Sequence, residues 1–227
     1  FYSWAAVDCI FDQNGYDVTE YAGAYGGVFF CEFRNTGGGA AGTAEVCSLS
    51  HPSSGVIGNW FHDLRGPALA FRYGSATRTT FCTVCYNTIA NNLSDGIVVD
   101  NDGTVYHYAI FNNTIDNNGG HGINFLTKVF SFVSVFNNIV SNHTGASKYA
   151  FNFADSYQQN KRQQKSVVDF NCFYGNTTNF NTVSGSPAWQ LQAHDITLDL
   201  QYVNAAAGNY VTGINVRNKG LSGLGGL

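Results

Sequence analysis

The chain has 227 residues and a net charge of −4, with 11% charged and 15% aromatic residues. So few charges argue against a nucleic-acid binder, since the one basic cluster, Lys161-Arg162-Gln163-Gln164-Lys165, reads as a solvated loop in an insertion; no apolar run approaches the about 20 residues that a membrane helix requires. Soluble domains ordinarily carry about a quarter charged residues, so here uncharged polar residues (25 Asn, 26 Gly) solvate the surface, or partners cover it.

One five-residue pattern recurs along the chain. It reads Cys9-Ile10-Phe11-Asp12-Gln13, then Cys31-Glu32-Phe33-Arg34-Asn35, then Asn59-Trp60-Phe61-His62-Asp63. It continues as Asn87-Thr88-Ile89-Ala90-Asn91, Asn113-Thr114-Ile115-Asp116-Asn117, Asn138-Ile139-Val140-Ser141-Asn142 and Asn171-Cys172-Phe173-Tyr174-Gly175. The offsets between starts are 22, 28, 28, 26, 25 and 33 residues. A period of this size with uneven insertions marks stacked structural units. The apolar stretches are short, rich in β-branched and aromatic residues, and end in Asn, Gly or Asp, so each unit reads as two or three short strands joined by tight corners. No helical stripe is sustained. A β-sandwich with Asn-rich loops would not need to repeat its loop sequence.

Stacked coils pair strands in parallel and bury their apolar faces on one another. Asn59, Asn87, Asn113, Asn138 and Asn171 then form one column, a structural ladder in which identical amides donate and accept along the stack. Cys9 and Cys31 take that position in the first two coils, and Asn35, Asp63, Asn91, Asn117 and Asn142 form a second column at the next corner. Phe11, Phe33, Phe61, Ile89, Ile115, Val140 and Phe173 form an internal apolar stack. The expected fold is all-β, a right-handed parallel β-helix of about seven coils over residues 1–176, with a mostly irregular closing segment over 177–227 that packs on the helix or extends it.

These coils resemble the right-handed parallel β-helix proteins of the pectin-lyase-like superfamily. The resemblance rests on the N-x-[IVF]-x-N pattern from residue 57 to residue 176 and on the segment from Asp199 to Tyr210, which is similar to the family's D-P-x-F-V-N-x-x-x-G-D-F closing motif. Leu200 replaces the usual proline and Asn209 the usual aspartate. Arg217-Asn218-Lys219-Gly220 is similar to a worn form of the terminal S-P-A-x-D-A-G. Such folds host lyases, hydrolases, epimerases and inert virion parts, so the resemblance speaks for fold rather than activity.

The chain contains no methionine and ends in a glycine-rich stretch without an evident cap, so a piece of a longer or matured polypeptide is expected. The six cysteines read as buried thiols that pack as small hydrophobes, although a Cys9–Cys31 disulfide is geometrically possible. Cys82-Thr83-Val84-Cys85 lacks a second pair and does not read as a metal site.

Chemistry would sit where a further strand ends in each coil. Gly96–Asp100 aligns with Gly122–Leu126, and Tyr149–Phe153 follows with a one-residue slip. Asp100, Asp102, Lys128 and Asp155 lie just beyond these strands, with Arg72 one coil earlier. The lyases that the fold resembles hold calcium with carboxylates and remove a proton with Lys or Arg, which implies Lys128, Asp100 and Asp102 as catalytic candidates and Asp100, Asp102 and Asp155 as calcium ligands. Two carboxylates could also hydrolyse a glycosidic bond. The competing reading is a plain turn at Asp100-Asn101-Asp102-Gly103. His107 and His121 read as loop or wall residues.

Two classes of function follow. The favoured one is a structural or adhesive part of a large assembly in a virion or outside the cell, such as a bacteriophage tailspike, fibre or capsid decoration, contacting copies of itself, other virion or surface proteins, or a polysaccharide. It needs no cofactor. The alternative is a secreted lyase or glycoside hydrolase acting on an acidic polysaccharide.

Overall fold

The structure, a computed structural model, describes residues 2–13, 18–19, 24–35, 47–49, 54–72, 80–100, 106–126, 132–154, 167–181 and 191–211. Its strands form three parallel sheets that coil around one axis. The first sheet pairs, in order, Tyr2–Val7, Ala24–Phe29, Ser54–Ile57, Thr80–Cys85, Tyr106–Phe111, Phe132–Phe136 and Val167–Asp169. The second pairs Ile10–Asp12, Glu32–Arg34, Trp60–His62, Thr88–Ala90, Thr114–Asp116, Ile139–Ser141, Cys172–Tyr174 and Ile196–Thr197. The third pairs Val18–Thr19, Cys47–Leu49, Leu69–Arg72, Ile97–Asp100, Ile123–Phe125 and Phe151–Phe153. Six coils thus carry all three strands and a seventh carries two, with Phe180 bridging to Phe151 where its third strand would lie. The chain is a parallel β-solenoid.

The apolar column of the second sheet runs in register from Phe11 through Phe33, Phe61, Ile89, Ile115 and Val140 to Phe173. From Phe33 onward each of these side chains is fully buried. Phe11, Phe33 and Phe61 stack with centroids 4.5 and 4.6 Å apart. Val28, Val56, Val84, Ile110, Val135 and Val168 face them from the first sheet, and Leu69, Ile97, Ile123 and Phe151 from the third. Burying each such side chain contributes about 1.5–3 kcal/mol, but only when the next coil is in place.

The amide ladder stands in the corner between the first and second sheets. The Asn59 Nδ2 donates to Asn87 Oδ1 at 2.9 Å, Asn87 to Asn113 at 2.9 Å, Asn113 to Asn138 at 3.0 Å and Asn138 to Asn171 at 3.1 Å. Each Oδ1 also accepts the preceding asparagine's backbone N–H, and each Nδ2 also donates to a carbonyl of the first sheet, as Asn87 does to Val56 at 2.9 Å. Two donors and two acceptors are therefore used in a fully buried corner, which is the condition for burying an amide without penalty.

Both ends of each ladder strand need a left-handed residue. In all seven coils the residue before the ladder position and the residue four after it have φ between 47° and 71°. Asn, Asp or Gly supplies many of these corners, including Asn91, Asn117, Asn142 and Gly175, because they adopt this conformation at low cost. Phe30, Tyr86 and Phe170 adopt it as well.

Candidate functional site

Of the predicted edge, the structure describes Asp100, half-buried at the end of its strand and opposite Arg72 in register. Asp102, Lys128 and Asp155 lie outside the described residues, and so does the Arg72 side chain. His107 is exposed on the first sheet, edge-on to Phe81 at 5.7 Å, as a wall residue. Among the described residues no group of three His, Cys, Asp or Glu could hold a metal ion.

The polar network described on that side centres on Asp95. Its Oδ1 accepts the His121 backbone N–H at 2.6 Å and its Oδ2 accepts Asn124 Nδ2 at 2.7 Å. Asn152 then donates to Asn124 at 2.8 Å, and Asn181 to Asn152 at 2.6 Å. This is a further amide column, on the outer side of the third sheet, closed by a carboxylate that only accepts. His121 is stacked on Tyr149 at 5.4 Å and its Nδ1 accepts the Tyr149 N–H. Burial lowers its pKa, the Asp95 charge opposes this, and Lys148 adds to it. Both oxygens of Asp95 are engaged, so the group positions backbone and amides.

A second feature lies on the outer face of the second sheet. The chain after Leu198 runs back across the coils as a strap. It is a small hairpin in which Asn204 and Asn209 bridge around the turn Ala205–Ala207, and Gly208 closes it at φ 76°. Tyr202 Oη meets Ser141 Oγ at 3.0 Å, Ser141 donates to Asp116 Oδ1 at 2.6 Å, and Asn142 Nδ2 donates to the same oxygen at 2.8 Å. Further down the stack, Asn91 Nδ2 donates to Tyr210 Oη at 3.2 Å. Gly208 lies so close to Trp60 that an added Cβ would sit 2.7 Å from the indole. Burial raises the pKa of Asp116, which the Ser141 and Asn142 bonds oppose, raises that of Tyr202, and pushes Tyr210 up to about 12. An open cleft of about 520 Å³ lies between the strap and Trp60, Thr88 and Thr114.

The third feature is the outer face of the first sheet. Val7, Phe29, Ile57, Cys85, Phe111 and Phe136 form one column in register on the side of the sheet away from the core; Val7 is exposed, the Phe and Ile side chains are half-buried and Cys85 is buried. Beside it run the small residues Ala5, Gly27, Gly55, Thr83, Ala109 and Ser134. Phe111 and Phe136 stack at 5.1 Å, and an added Cβ at Gly27 or Gly55 would meet the Phe29 ring. Phe30 at 62%, Phe81 at 49% and Tyr86 at 47% exposure widen the face. Among the described side chains of these strands there is no Lys, Arg or Glu; Asp169 on the last coil is the one carboxylate. The sequence places Cys85, Phe111 and Phe136 together, but which way they point follows only from the buried Val84, Ile110 and Val135 between them. Cys9, Cys31, Cys82, Cys85 and Cys172 are unbridged thiols.

No family model and no curated protein matches the chain. Among solved structures it has a likeness to trypsin-treated QnrB1, a plasmid-mediated fluoroquinolone resistance protein, at 12% identity over 85% of this chain and 92% of that one. The TM-score is 0.20, and a likeness at that level carries no argument about fold or activity.

Proposed function

We propose that the chain is a structural, adhesive β-helix component of a large assembly, of the pectin-lyase-like kind found in bacteriophage tailspikes, fibres and capsid decorations. The observation that carries this reading is the apolar, partly exposed aromatic face of the first sheet away from the core, on which Asp169 of the last coil is the one carboxylate among the described side chains. Exposed apolar patches of this breadth on a folded protein mark contact surfaces. Six strand steps of about 4.8 Å and strands of about six residues give a face of roughly 30 by 20 Å, or roughly 600 Å² a side, against the roughly 800 Å² typical of stable interfaces. Corner residues Phe30 and Tyr86 extend it. A partner that follows a ridge repeating at the strand spacing is itself a parallel solenoid, so a second copy is the simplest occupant.

The test is sedimentation of the purified chain over a concentration range, with Phe111→Asp as the control. Concentration-dependent association, abolished by Phe111→Asp without loss of circular dichroism, is the expected result. A monomer at all concentrations that cleaves an acidic polysaccharide, and stops doing so in Asp100→Ala and Lys128→Ala, overturns the reading in favour of an enzyme.

A further inference from the structure

The chain contains another amide column, largely buried, and one of its members is a histidine. Five residues after each ladder position stand Leu64, Asn92, Asn118, His143 and Asn176. Asn118 Oδ1 accepts both the backbone N–H and Nδ2 of Asn92, at 3.3 and 2.9 Å. Asn118 Nδ2 then reaches His143 Nε2 at 3.4 Å. On the other side, Asn176 Oδ1 accepts the His143 backbone N–H at 3.0 Å and takes Nδ1 at 3.2 Å. An amide nitrogen only donates and an amide oxygen only accepts. His143 therefore carries its proton on Nδ1, and Nε2 must stay bare. The side chain is completely buried.

The surroundings add no counter-charge. His121 and Lys148 are the titratable groups that act on His143, and both are positive when charged. Asp95 is bonded to the His121 backbone and Asn124 instead. Gly122 packs against the ring, where an added Cβ would lie 3.3 Å from Cε1, so position 122 itself presents no side chain to it. Asn118 cannot turn its oxygen towards the imidazole without releasing both bonds to Asn92.

We propose that His143 is an acid-sensitive link in the solenoid: protonation of Nε2 sets it donor-to-donor against Asn118 and parts the coil over 138–154 from the coil over 113–126. The remaining positions of the column are amides or leucine and do not titrate, so the sensitivity is local to this junction. Burial pulls the His143 pKa down to about 4, with the Asn176 bond opposing and His121 and Lys148 adding to the shift. The folded value lies below the ordinary 6.5, so the contribution of the neutral ring is complete above about 6.5 and is lost as pH falls towards about 4. Over that window the unfolding constant rises on the order of 100-fold from this group.

Urea unfolding followed by circular dichroism from pH 7 to pH 4 tests this on the whole chain. His143→Asn replaces the link with the amide used at Asn92 and Asn118, and it is expected to remove most of the rise in the unfolding constant; His121→Gln, whose own pKa burial also lowers, is expected to remove a smaller part of it. Equal pH dependence in the parent chain and His143→Asn overturns the proposal. If His143→Asn does not fold, the ring protons of the parent chain decide by magnetic resonance. An imidazole that titrates near 6.5 in a chain that stays folded overturns the proposal, and one that takes its proton only as the native signals are lost supports it.

Discussion

Asn171 hands the main amide ladder to a carboxylate. Its backbone N–H donates to Asp195 Oδ1 at 2.7 Å, and its Nδ2 reaches the same oxygen at 3.4 Å. Every amide in the ladder donates towards the C-terminal coil, so the last one needs a group that only accepts. Asp195 also accepts the Gln192 N–H through Oδ2 at 2.9 Å. Asp95 closes the third-sheet column in the same way, at its opposite end.

Asp195→Ala is therefore expected to destabilise the chain by about 1–3 kcal/mol, the cost of leaving buried donors without acceptors. Asp195→Asn keeps an oxygen for Asn171 but turns an NH₂ towards the Gln192 N–H, so a smaller loss is expected. Urea midpoints at pH 7 rank the two variants, and Asn worse than Ala contradicts the capping role.

Asn113 stands mid-ladder and is nearly completely buried. Asn113→Leu removes the acceptor of both the Asn87 backbone N–H and the Asn87 Nδ2. A loss of about 3–5 kcal/mol is expected, since two buried donors are orphaned and a branched side chain is forced into the corner. Asn117→Ala, four residues on, is exposed; it gives up the bond to Asn91 and a favourable left-handed residue, for about 1 kcal/mol. Thermal unfolding of the pair separates an internal amide from a corner amide.

Tyr86 holds φ at 59° at a corner where the next coil places Asn112 at 56°. A left-handed conformation costs most side chains about 1–2 kcal/mol, and Asn less. The Tyr86 ring is edge-on to Phe111 at 6.3 Å and about half exposed, so it recovers part of that cost. Tyr86→Asn is expected to raise stability by about 0.5–1 kcal/mol, while the reciprocal Asn112→Tyr lowers it. A fall in melting temperature for Tyr86→Asn would show that the aromatic contact outweighs the backbone strain.

The columns legible in the sequence are those whose members recur at one offset within the unit. The ladder from Asn59 to Asn171 and the apolar stack from Phe11 to Phe173 do so, because insertions fall outside the five residues that hold both. The column of Asn92, Asn118, His143 and Asn176 keeps its offset too, but the change from Asn to His conceals it, and nothing in the sequence marks His143 as buried. The Asn124, Asn152 and Asn181 column is hidden for another reason. The third-sheet alignment with its one-residue slip puts Asn124 opposite Asn152, as the structure does, but Val98 and Ala70 hold that position in the coils before, so no recurring amide marks it in the sequence. The latch between Tyr202 and Ser141 joins positions 61 apart, and no period links them. The outward columns of the first sheet read as apolar in the sequence, but period-two alternation alone does not say which side faces water.

Asp116 is a carboxylate with 3% exposure beneath the strap, and its Oδ1 takes the bonds from both Ser141 and Asn142. Burial raises its pKa above 3.8. The folded chain thus holds this proton more tightly than the unfolded chain, so the group favours folding below about 3.8, and that contribution is lost as pH rises through the folded value. At pH 7 the ionised group carries a desolvation cost that the Ser141 and Asn142 bonds offset only in part. Asp116→Asn keeps an oxygen for Ser141 and Asn142 and removes the charge, so stability at pH 7 is expected to be unchanged or higher, and the decrement above pH 3.8 is expected to vanish. Tyr202→Phe removes only the hydroxyl above Ser141, for about 1 kcal/mol, and is expected to speed proteolytic cleavage within 198–211 while the coils stay intact. A large loss in Asp116→Asn at pH 7 would mean that the strap is held by the charge itself rather than by the bonds to one oxygen.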